Sequence, residues 1–563
     1  MSGSFRTPAG GRINRDKLLR FSFNDRSYTG YEGDTLASAL LANGVHLLGR
    51  SFKYHRPRGI VAAGAEEPNS MVQLDTGATT EPNIRATQIS LYESLTASSV
   101  NVWPSVEFDV SAVNGLFAKI FTAGFYNKTF MWPRAMWMRL YEPVIRRAAG
   151  WGKAPTVKDP DVYDHMHLHV DVMVVGAGPA GLAAALAAGR AGARVVLVDE
   201  QSEFGGSLLS LTRQIDGLDA VDWIAAARAE LEAMDDVTLL PRATAFGYYD
   251  QNYLCVLEQK TDHLPQAQRA GKVRQRVWHV RAAEVVLATG AHERPLVFAN
   301  NDRPGIMLAG AVQTYVNRYG VLPGKNMVLF TNNDAAYETA IDMQAAGAKI
   351  AAIVDCRRET SSELADEARA LNIRVLNGHA ITGVKGGKRV SAVEVRKIQA
   401  GAKVYTSVAE MIDCDLVAMS GGWSPVVHLF SQSQGKLQYR EEQACFVPGT
   451  PVQAQGFAGA ITGNFALSDC LVEGNAAGMK AAQKTGFDSV KEEVSFAVEE
   501  PDIGTIEPYW IVPGARPIGE GTAKHFVDLQ NDTTAADIEL AVREGFESIE
   551  HIKRYTLTGF GTD

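Results

Sequence analysis

The chain has 563 residues, 46% of them hydrophobic and 21% charged, with a formal net charge of −9. That is the composition of ordinary globular domains, roughly three or four of them by length. The acidic balance gives no hint of nucleic-acid binding, and no window has the uninterrupted apolar length of a membrane span. The N-terminal stretch MSGSFRTPAGGRINR lacks the apolar core of a signal peptide.

Residues 19–45, LRFSFNDRSYTGYEGDTLASALLANGV, place alternating aromatics around Asn24-Asp25, a hairpin signal. Asp34-Thr35 then offers a helix start and Gly44 a stop. Hairpin followed by helix is how a β-grasp, ferredoxin-like domain begins, and residues 1–110 are read as one. Plant-type ferredoxins ligate iron through closely spaced cysteines. The matching stretch here, GRSFKYHRPRGIVAAGAEEPN, has none, and no cysteine precedes Cys255. A thiolate-ligated cluster is excluded.

Residues 111–168 read as a linker arm rich in aromatics and arginines, with FYNKTFMWPRAMWMRLYEPVIRR at its centre. Such residues are enriched at interfaces. Packing between domains is weighed slightly above a surface for a partner subunit. His165, His167 and His169 alternate as metal ligands on a strand could. A solvated lead-in to the strand that follows is preferred, and no metal is expected.

The most informative stretch is Val172–Glu200, VMVVGAGPAGLAAALAAGRAGARVVLVDE. An apolar strand leads into Gly176, Gly178 and Gly181 spaced as G-x-G-x-x-G. An Ala-rich helix and a second strand follow, ending on Asp199-Glu200. The first glycine makes the turn, the second lets backbone approach a pyrophosphate, and the third lets helix pack on strand. The helix N-terminus faces the phosphates, and the terminal acid accepts from a ribose diol. Phe204-Gly205-Gly206-Ser207 offers a second close approach of backbone. The strand Arg242–Tyr249 makes Phe246 a backbone contact for the adenine. Val285–Gly290, VVLATG, is a return strand ending at Gly290, extended by His292-Glu293-Arg294-Pro295.

Asn326–Cys356 repeats this fold at an offset of 155 residues, with Gly192 matched by Gly347 and Glu200 by Asp355. The three glycines become Thr331, Asn333 and Ala336, and Asp334 stands at the phosphate-facing turn. A Cβ blocks close approach and a carboxylate repels a pyrophosphate. No nucleotide is expected there. Asp415–Gly422 gives a further strand. Residues 459–474 close the first nucleotide domain, where Gly463-Asn464 replaces the Gly-Asp usual in flavoproteins, and Ala466 and Leu471 open the closing helix. The tail 524–563 reads as a helix pair with a cap at Thr534–Asp537. It is similar to the small [2Fe–2S] domain of bacterioferritin-associated ferredoxins, without cysteines at the cluster positions. The five cysteines, Cys255, Cys356, Cys414, Cys445 and Cys470, form no C-x-x-C, so no redox dithiol is indicated. Their scatter fits a reducing cytoplasm.

The resulting fold class is α/β, a glutathione-reductase-like Rossmann pair with a cluster-less β-grasp domain before it and a small helical domain after it. Expected limits are 1–110, 111–168, 169–310 with 410–495, 311–409, and 496–563. β-grasp, two dinucleotide folds and helical tail, in that order, resemble the α subunits of amine and imino-acid dehydrogenases. FKYHRPRGI, GFYNKTFMWP, VVGAGPAGLAAALAAGRAGARVVLVDEQ and HIKRYTLTGFGTD are similar to the α-subunit family of heterotetrameric sarcosine oxidases.

That resemblance implies a structural NAD in the first fold. It also implies FMN at the interface with a β subunit, FAD within β, zinc in δ, and β, γ and δ partners. The assembly would oxidise sarcosine to glycine with peroxide, passing the one-carbon unit to tetrahydrofolate or releasing formaldehyde. Carried onto this sequence, the cofactor contacts are Gly176, Gly178, Ala180 and Gly181, then Asp199, Glu200 and Gln201, then Ser207, Phe246, Gly290, Gly463, Ala466 and Leu471. No catalytic residue is expected in this chain. Family members are far longer, with a folate-binding C-terminal half beginning where this sequence stops at Asp563, so folate chemistry is not assigned here. The competing readings are a self-sufficient FAD-dependent NAD(P)H oxidoreductase, the α subunit of a related amino-acid or opine dehydrogenase, and a scaffold with an empty site.

Overall fold

The structure, a computed structural model, describes residues 5–118, 120–148, 152–399, 408–487, 495–502, 504–512, 518–520 and 522–560. Lys119 and residues 149–151 of the aromatic arm, and the last three residues of the GFGTD motif, lie outside these. The chain forms two units. One holds residues 1–160, 295–421 and 507–563; the other holds 161–294 and 422–506. The second unit starts before residue 169 because its first strand begins at Val162 and carries His165, His167 and His169 within it. The histidines thus belong to the strand rather than preceding it.

In the first unit, β1 (Asn14–Phe23) and β2 (Arg26–Glu32) are antiparallel. Asn24 and Asp25 both have positive φ, 50° and 61°, as a two-residue hairpin turn of this kind requires. α1 (Leu36–Ala42) starts at Thr35 with a reciprocal capping box to Ser38, and every residue in it is buried. With β3 (Met71–Leu74), β4 (Glu81–Arg85) and β5 (Leu95–Ser99) the sheet order is β2-β1-β5-β3-β4, with β1 and β5 parallel. This is the β-grasp arrangement expected from the hairpin and helix.

The second unit is built on β6 (Val162–Val175), α2 (Pro179–Arg190), β7 (Val195–Val198), β8 (Val237–Leu240), β9 (Ala243–Tyr249), β10 (Tyr253–Gln259) and β11 (Val273–Leu287). The order is β8-β7-β6-β11-β10-β9. Val172–Val175 and β7 are buried, which is why they read as unbroken apolar runs rather than alternating ones.

The chain then returns to the first unit through β12 (Ile306–Leu308), β13 (Asn326–Thr331), α3 (Ala335–Ala345), β14 (Lys349–Asp355), β15 (Val375–Asn377) and β16 (Leu416–Ser420). These form a parallel sheet in the order β12-β16-β13-β14-β15. β17 (Gln455–Phe457), paired with β11, and α4 (Leu467–Lys484) complete the second unit. α5 (Ala535–Arg543) and α6 (Ile549–Thr556) complete the first.

Within the first unit the two loops that lack cluster cysteines are bonded to each other. Asp532 is fully buried and accepts from the backbone N–H of Lys53 (2.8 Å) and Tyr54 (3.0 Å). Arg56 reaches the same carboxylate at 3.2 Å, and Arg58 donates to Leu529 O at 2.7 Å. Burial alone would raise the Asp532 carboxyl. Arg56 and Arg58 outweigh it and hold the group below the usual carboxylate range.

Part of the aromatic arm also meets the helical tail. Ala123 N–H donates to Asp537 (2.9 Å) and Lys128 pairs with Glu544 (2.5 Å). Other side chains of the arm are open: Leu116 is 83% exposed, Trp132 85% and Met138 70%. Among the described residues no helix is long and apolar enough to cross a membrane.

Candidate dinucleotide site

The β6–α2 turn separates the three glycines by physical cause. Gly176 has φ +97°, and a Cβ there would lie 2.3 Å from Ala288 O. A Cβ on Gly181 would lie 1.7 Å from Gly176 O. Both are glycine because the protein's own backbone is in the way. Gly178 is different. Its φ is −72°, and the nearest atom to an added Cβ is Gly206 Cα at 4.0 Å. Neither strain nor packing requires glycine there, and the bare backbone leaves the turn open to close approach. Gly178 is the N-cap of α2, no side chain caps that helix, and Pro179 follows at its first position. Free N–H groups and the positive end of the helix dipole thus stand beside an open approach, the arrangement that binds phosphates.

Around this turn the sequence-predicted residues take distinct places. Gly205 N–H donates to Ala177 O at 2.8 Å, which lays the 204–207 loop beside Gly178 and leaves Ser207 exposed. Asp199 accepts from Ala177 N–H (2.7 Å) and Gln201 N–H (2.8 Å), so its carboxylate braces the turn. Glu200 is the exposed acid at the end of β7. Ala243 N–H donates to Asp199 O at 2.8 Å. The strand that meets this end of the site does so at Ala243. Phe246 lies three residues on, with its side chain 48% exposed.

Ala180 is buried and clusters with Ala288, Ala458 and Cys470. Gly290, φ +72°, follows β11, and an added Cβ there would have no neighbour within 4 Å. Gly463 has φ +88°. Ala466 is the N-cap of α4. Leu471 is a core side chain packed among Leu182, Leu186 and Val286, so its role is to seat α4.

Two acids went unnoticed in the sequence. Glu473 accepts from Gly459 N–H (2.9 Å), Thr462 Oγ1 (3.0 Å) and Asn464 Nδ2, and so holds the 459–464 loop. Glu500 accepts from Leu467 N–H (2.6 Å), Ser468 N–H (2.9 Å) and Ser468 Oγ (2.6 Å), capping α4 from a distant segment. No local signal marks either, because each carboxylate reaches backbone far along the chain.

The repeat in the first unit keeps the topology and fills the turn. Thr331, Asn332, Asn333 and Asp334 are all buried. Thr331 Oγ1 donates to Asn333 O (2.9 Å), and Asn333 Nδ2 to Ser420 Oγ (3.0 Å). Arg357 bridges Asp334 and Asp355 at 2.7 Å each, and Tyr337 donates to Asp355 at 2.8 Å. Burial alone would lower the Arg357 guanidinium, but the two carboxylates outweigh it and tighten its hold on its proton. Asp334, which would repel a pyrophosphate, has its own internal cation. Asp355, the counterpart of Glu200, spends its oxygens on Arg357 and Tyr337.

His165 and His167 stack on His279 with ring centroids 5.6 and 4.9 Å apart, and among the described residues no group is placed to hold a metal. All five cysteines are free and buried.

An open, uncapped G-x-G-x-x-G turn in a two-fold α/β chain defines a nucleotide-binding oxidoreductase domain. The profile of the pyridine nucleotide-disulphide oxidoreductase family matches residues 170–486, more than half of the chain, and the chain belongs to that family. Along its whole length it is related to sarcosine oxidase α subunits, as its motifs implied. It is 46% identical over 560 residues to that of Rhizobium meliloti (strain 1021) and 40% over 570 residues to that of Corynebacterium sp. (strain P-1).

These alignments cover all of this chain but 55% and 54% of those relatives, so it spans about half their length. A sarcosine oxidase A3 domain profile matches residues 522–563. An opine oxidase subunit of Agrobacterium tumefaciens (strain Ach5) is 26% identical over 58% of this chain and 65% of its own. The crystal structure of L-proline dehydrogenase from P. horikoshii shares the fold, with a TM-score of 0.61 over 98% of this chain and 90% of that one, at 17% identity. A 2Fe-2S iron-sulfur cluster binding domain profile matches residues 16–102. The residues present do not fit a thiolate-held cluster, since none of them is cysteine and the loop at 53–58 is bonded to Asp532.

Proposed function

We propose that this chain is the NAD-binding, non-catalytic α component of a complex that oxidises sarcosine to glycine. The observation that carries the reading is Gly178, a glycine required by neither strain nor packing, beside an uncapped helix N-terminus. Gly176, Gly178, Ala180, Gly181 and Ser207 would frame the pyrophosphate. Glu200 and Gln201 would meet the adenosine ribose, with Asp199 bracing them. Gly290, Gly463 and Ala466 would shape the far end, with Leu471 seating α4 behind it. The filled turn at Thr331–Asp334 supports one nucleotide per chain, and with it a structural rather than hydride-carrying NAD. A self-sufficient NAD(P)H reductase would need that second turn open.

On this reading the amine-oxidising FAD sits in a β subunit, FMN lies at the interface with it, and γ and δ subunits complete a cytoplasmic assembly. Its relatives at 46% and 40% identity are named as α subunits of sarcosine oxidase, which supports a place in a multisubunit assembly. The exposed apolar side chains of the arm, Leu116, Trp132 and Met138 foremost, support its use against a partner. To test the reading, the purified chain is denatured and its released nucleotide identified by chromatography and absorbance. NAD without flavin is expected, and released FAD would overturn it. Peroxide production from sarcosine by the chain alone would also overturn it.

A further inference from the structure

The second unit holds two parallel helices whose N-termini face the same way. A Cβ at Gly474 would lie 2.2 Å from Ala180 O, and one at Gly478 2.1 Å from Ala184 O, so α4 and α2 touch backbone to backbone in register. Gly474 is well inside α4 while Ala180 is at the start of α2. α4 therefore overhangs α2 by about 9 Å at 1.5 Å per residue.

Sheet order says what lies beneath the overhang. β7, with Glu200 at its end, flanks β6 on one side, and β11, ending toward Gly290, flanks it on the other. A dinucleotide whose pyrophosphate sits at Gly178 and whose adenosine sits at Glu200 runs its second half toward β11 and the start of α4.

The two helix ends are prepared differently. That of α2 has no side-chain cap. That of α4 already holds an anion, because Glu500 takes the N–H groups of Leu467 and Ser468 together with the Ser468 hydroxyl. The segment bearing Glu500 is itself fastened. Ala497 N–H donates to Asp216 (2.8 Å), Asp216 N–H returns a bond to Ala497 O (2.9 Å), and Phe496 and Val498 pack on the core.

We propose that Glu500 is a specificity-determining residue that makes this site accept NAD and reject FAD; the inference rests on the NAD reading above. The pyrimidine edge of a flavin is electron-rich and becomes negative on reduction, so flavin sites place positive charge near N1. A helix N-terminus supplies about half an elementary charge of that kind. With a full carboxylate seated on it, the end of α4 has spent its first donors and is net negative. A flavin there would meet repulsion without donors, or would have to displace a carboxylate held by three hydrogen bonds. A nicotinamide ring is cationic when oxidised and asks for no donor array, so it is compatible with the carboxylate.

The test uses the full chain stripped of nucleotide and titrated with NAD+ and with FAD separately, for wild type, Glu500→Gln and Glu500→Ala. Glu500→Gln keeps the shape and an acceptor oxygen, so it guards against loss of fold in Glu500→Ala. The expected result is FAD affinity rising at least tenfold in both variants, read by quenching of flavin fluorescence, so that the NAD+/FAD ratio falls at least tenfold. An unchanged ratio in folded variants of a chain that binds NAD+ would overturn this inference and leave the NAD reading standing. FAD binding tightly to wild type would overturn both.

Discussion

Val172–Glu200 and Asn326–Asp355 are one fold written twice, and they answer the same problem in opposite ways. Each has strand, turn, helix and strand at matching positions, with Gly192 and Gly347 both at positive φ where the helix ends. Each turn leaves backbone N–H groups and a helix dipole to be satisfied. The first copy keeps its turn narrow and accessible, and leaves satisfaction to a ligand. The second uses Thr331, Asn333 and the Asp334–Arg357–Asp355 bridge, and is complete by itself. The second turn differs by more than its missing glycines. Side chains of the protein stand where a ligand's polar groups would.

The comparison breaks most visibly at Arg357. Arg357→Ala leaves Asp334 and Asp355 buried without their cation, and losing one partner of a buried pair costs about 3–5 kcal/mol. A thermal scan should show a large drop in the transition of the first unit, with nucleotide content unchanged. A mild effect would mean that the bridge is not what replaced the ligand.

Next come the glycines of the first turn, which should separate packing from binding. Gly181→Ala drives a methyl into Gly176 O, and overpacking of this sort costs about 1–3 kcal/mol. Gly178→Val puts its Cβ 4.0 Å from the nearest protein atom, so the stripped chain should lose only about 1 kcal/mol, the cost of a poorer N-cap. Its nucleotide content on release should nonetheless fall to near zero. Retention of nucleotide by Gly178→Val would sink the assignment of that glycine to the pyrophosphate.

Much of this was legible in the chain itself, and the part that was not has a definite cause. Hairpin, cap and both dinucleotide folds follow from periodicity and turn residues, which act over a few positions. The loss at Thr331–Asp334 shows in the missing glycines. Its repair by Arg357 is less visible, because an arginine two residues past Asp355 has no meaning until β13 and β14 bring it over the turn. Glu473 and Glu500 cap backbone that is distant in sequence, and Asp532 reaches the 53–58 loop from the far end of the chain. The aromatic arm was ambiguous for another reason. Composition marks an interface but not which residues are covered, and only the structure shows Trp132 and Leu116 open while Ala123 is bonded to Asp537.

The smallest effect is also the most discriminating between a turn that is filled by ligand and one that is filled by protein. Cys470, on α4, is buried in the cluster with Ala180 of α2, Ala288 and Ala458. Burial, with Glu473, Glu500 and Asp469 adding to it, pushes its thiol up to about 12. Because the thiolate is the reactive form, labelling at neutral pH must proceed through local opening of the unit. A nucleotide bound at Gly178 stabilises the closed state by mass action. Saturating NAD+ should therefore slow Cys470 modification by a small but measurable factor, followed by peptide mapping after timed thiol alkylation. Cys356 ends the repeat and is equally buried, with burial first and Asp355 next raising its thiol. Its labelling should not respond to NAD+, because that turn carries its own counter-ion. Protection of both cysteines would show that the repeat still binds nucleotide despite the Arg357 bridge. Protection of neither, in a chain shown to hold NAD, would place the nucleotide away from α2.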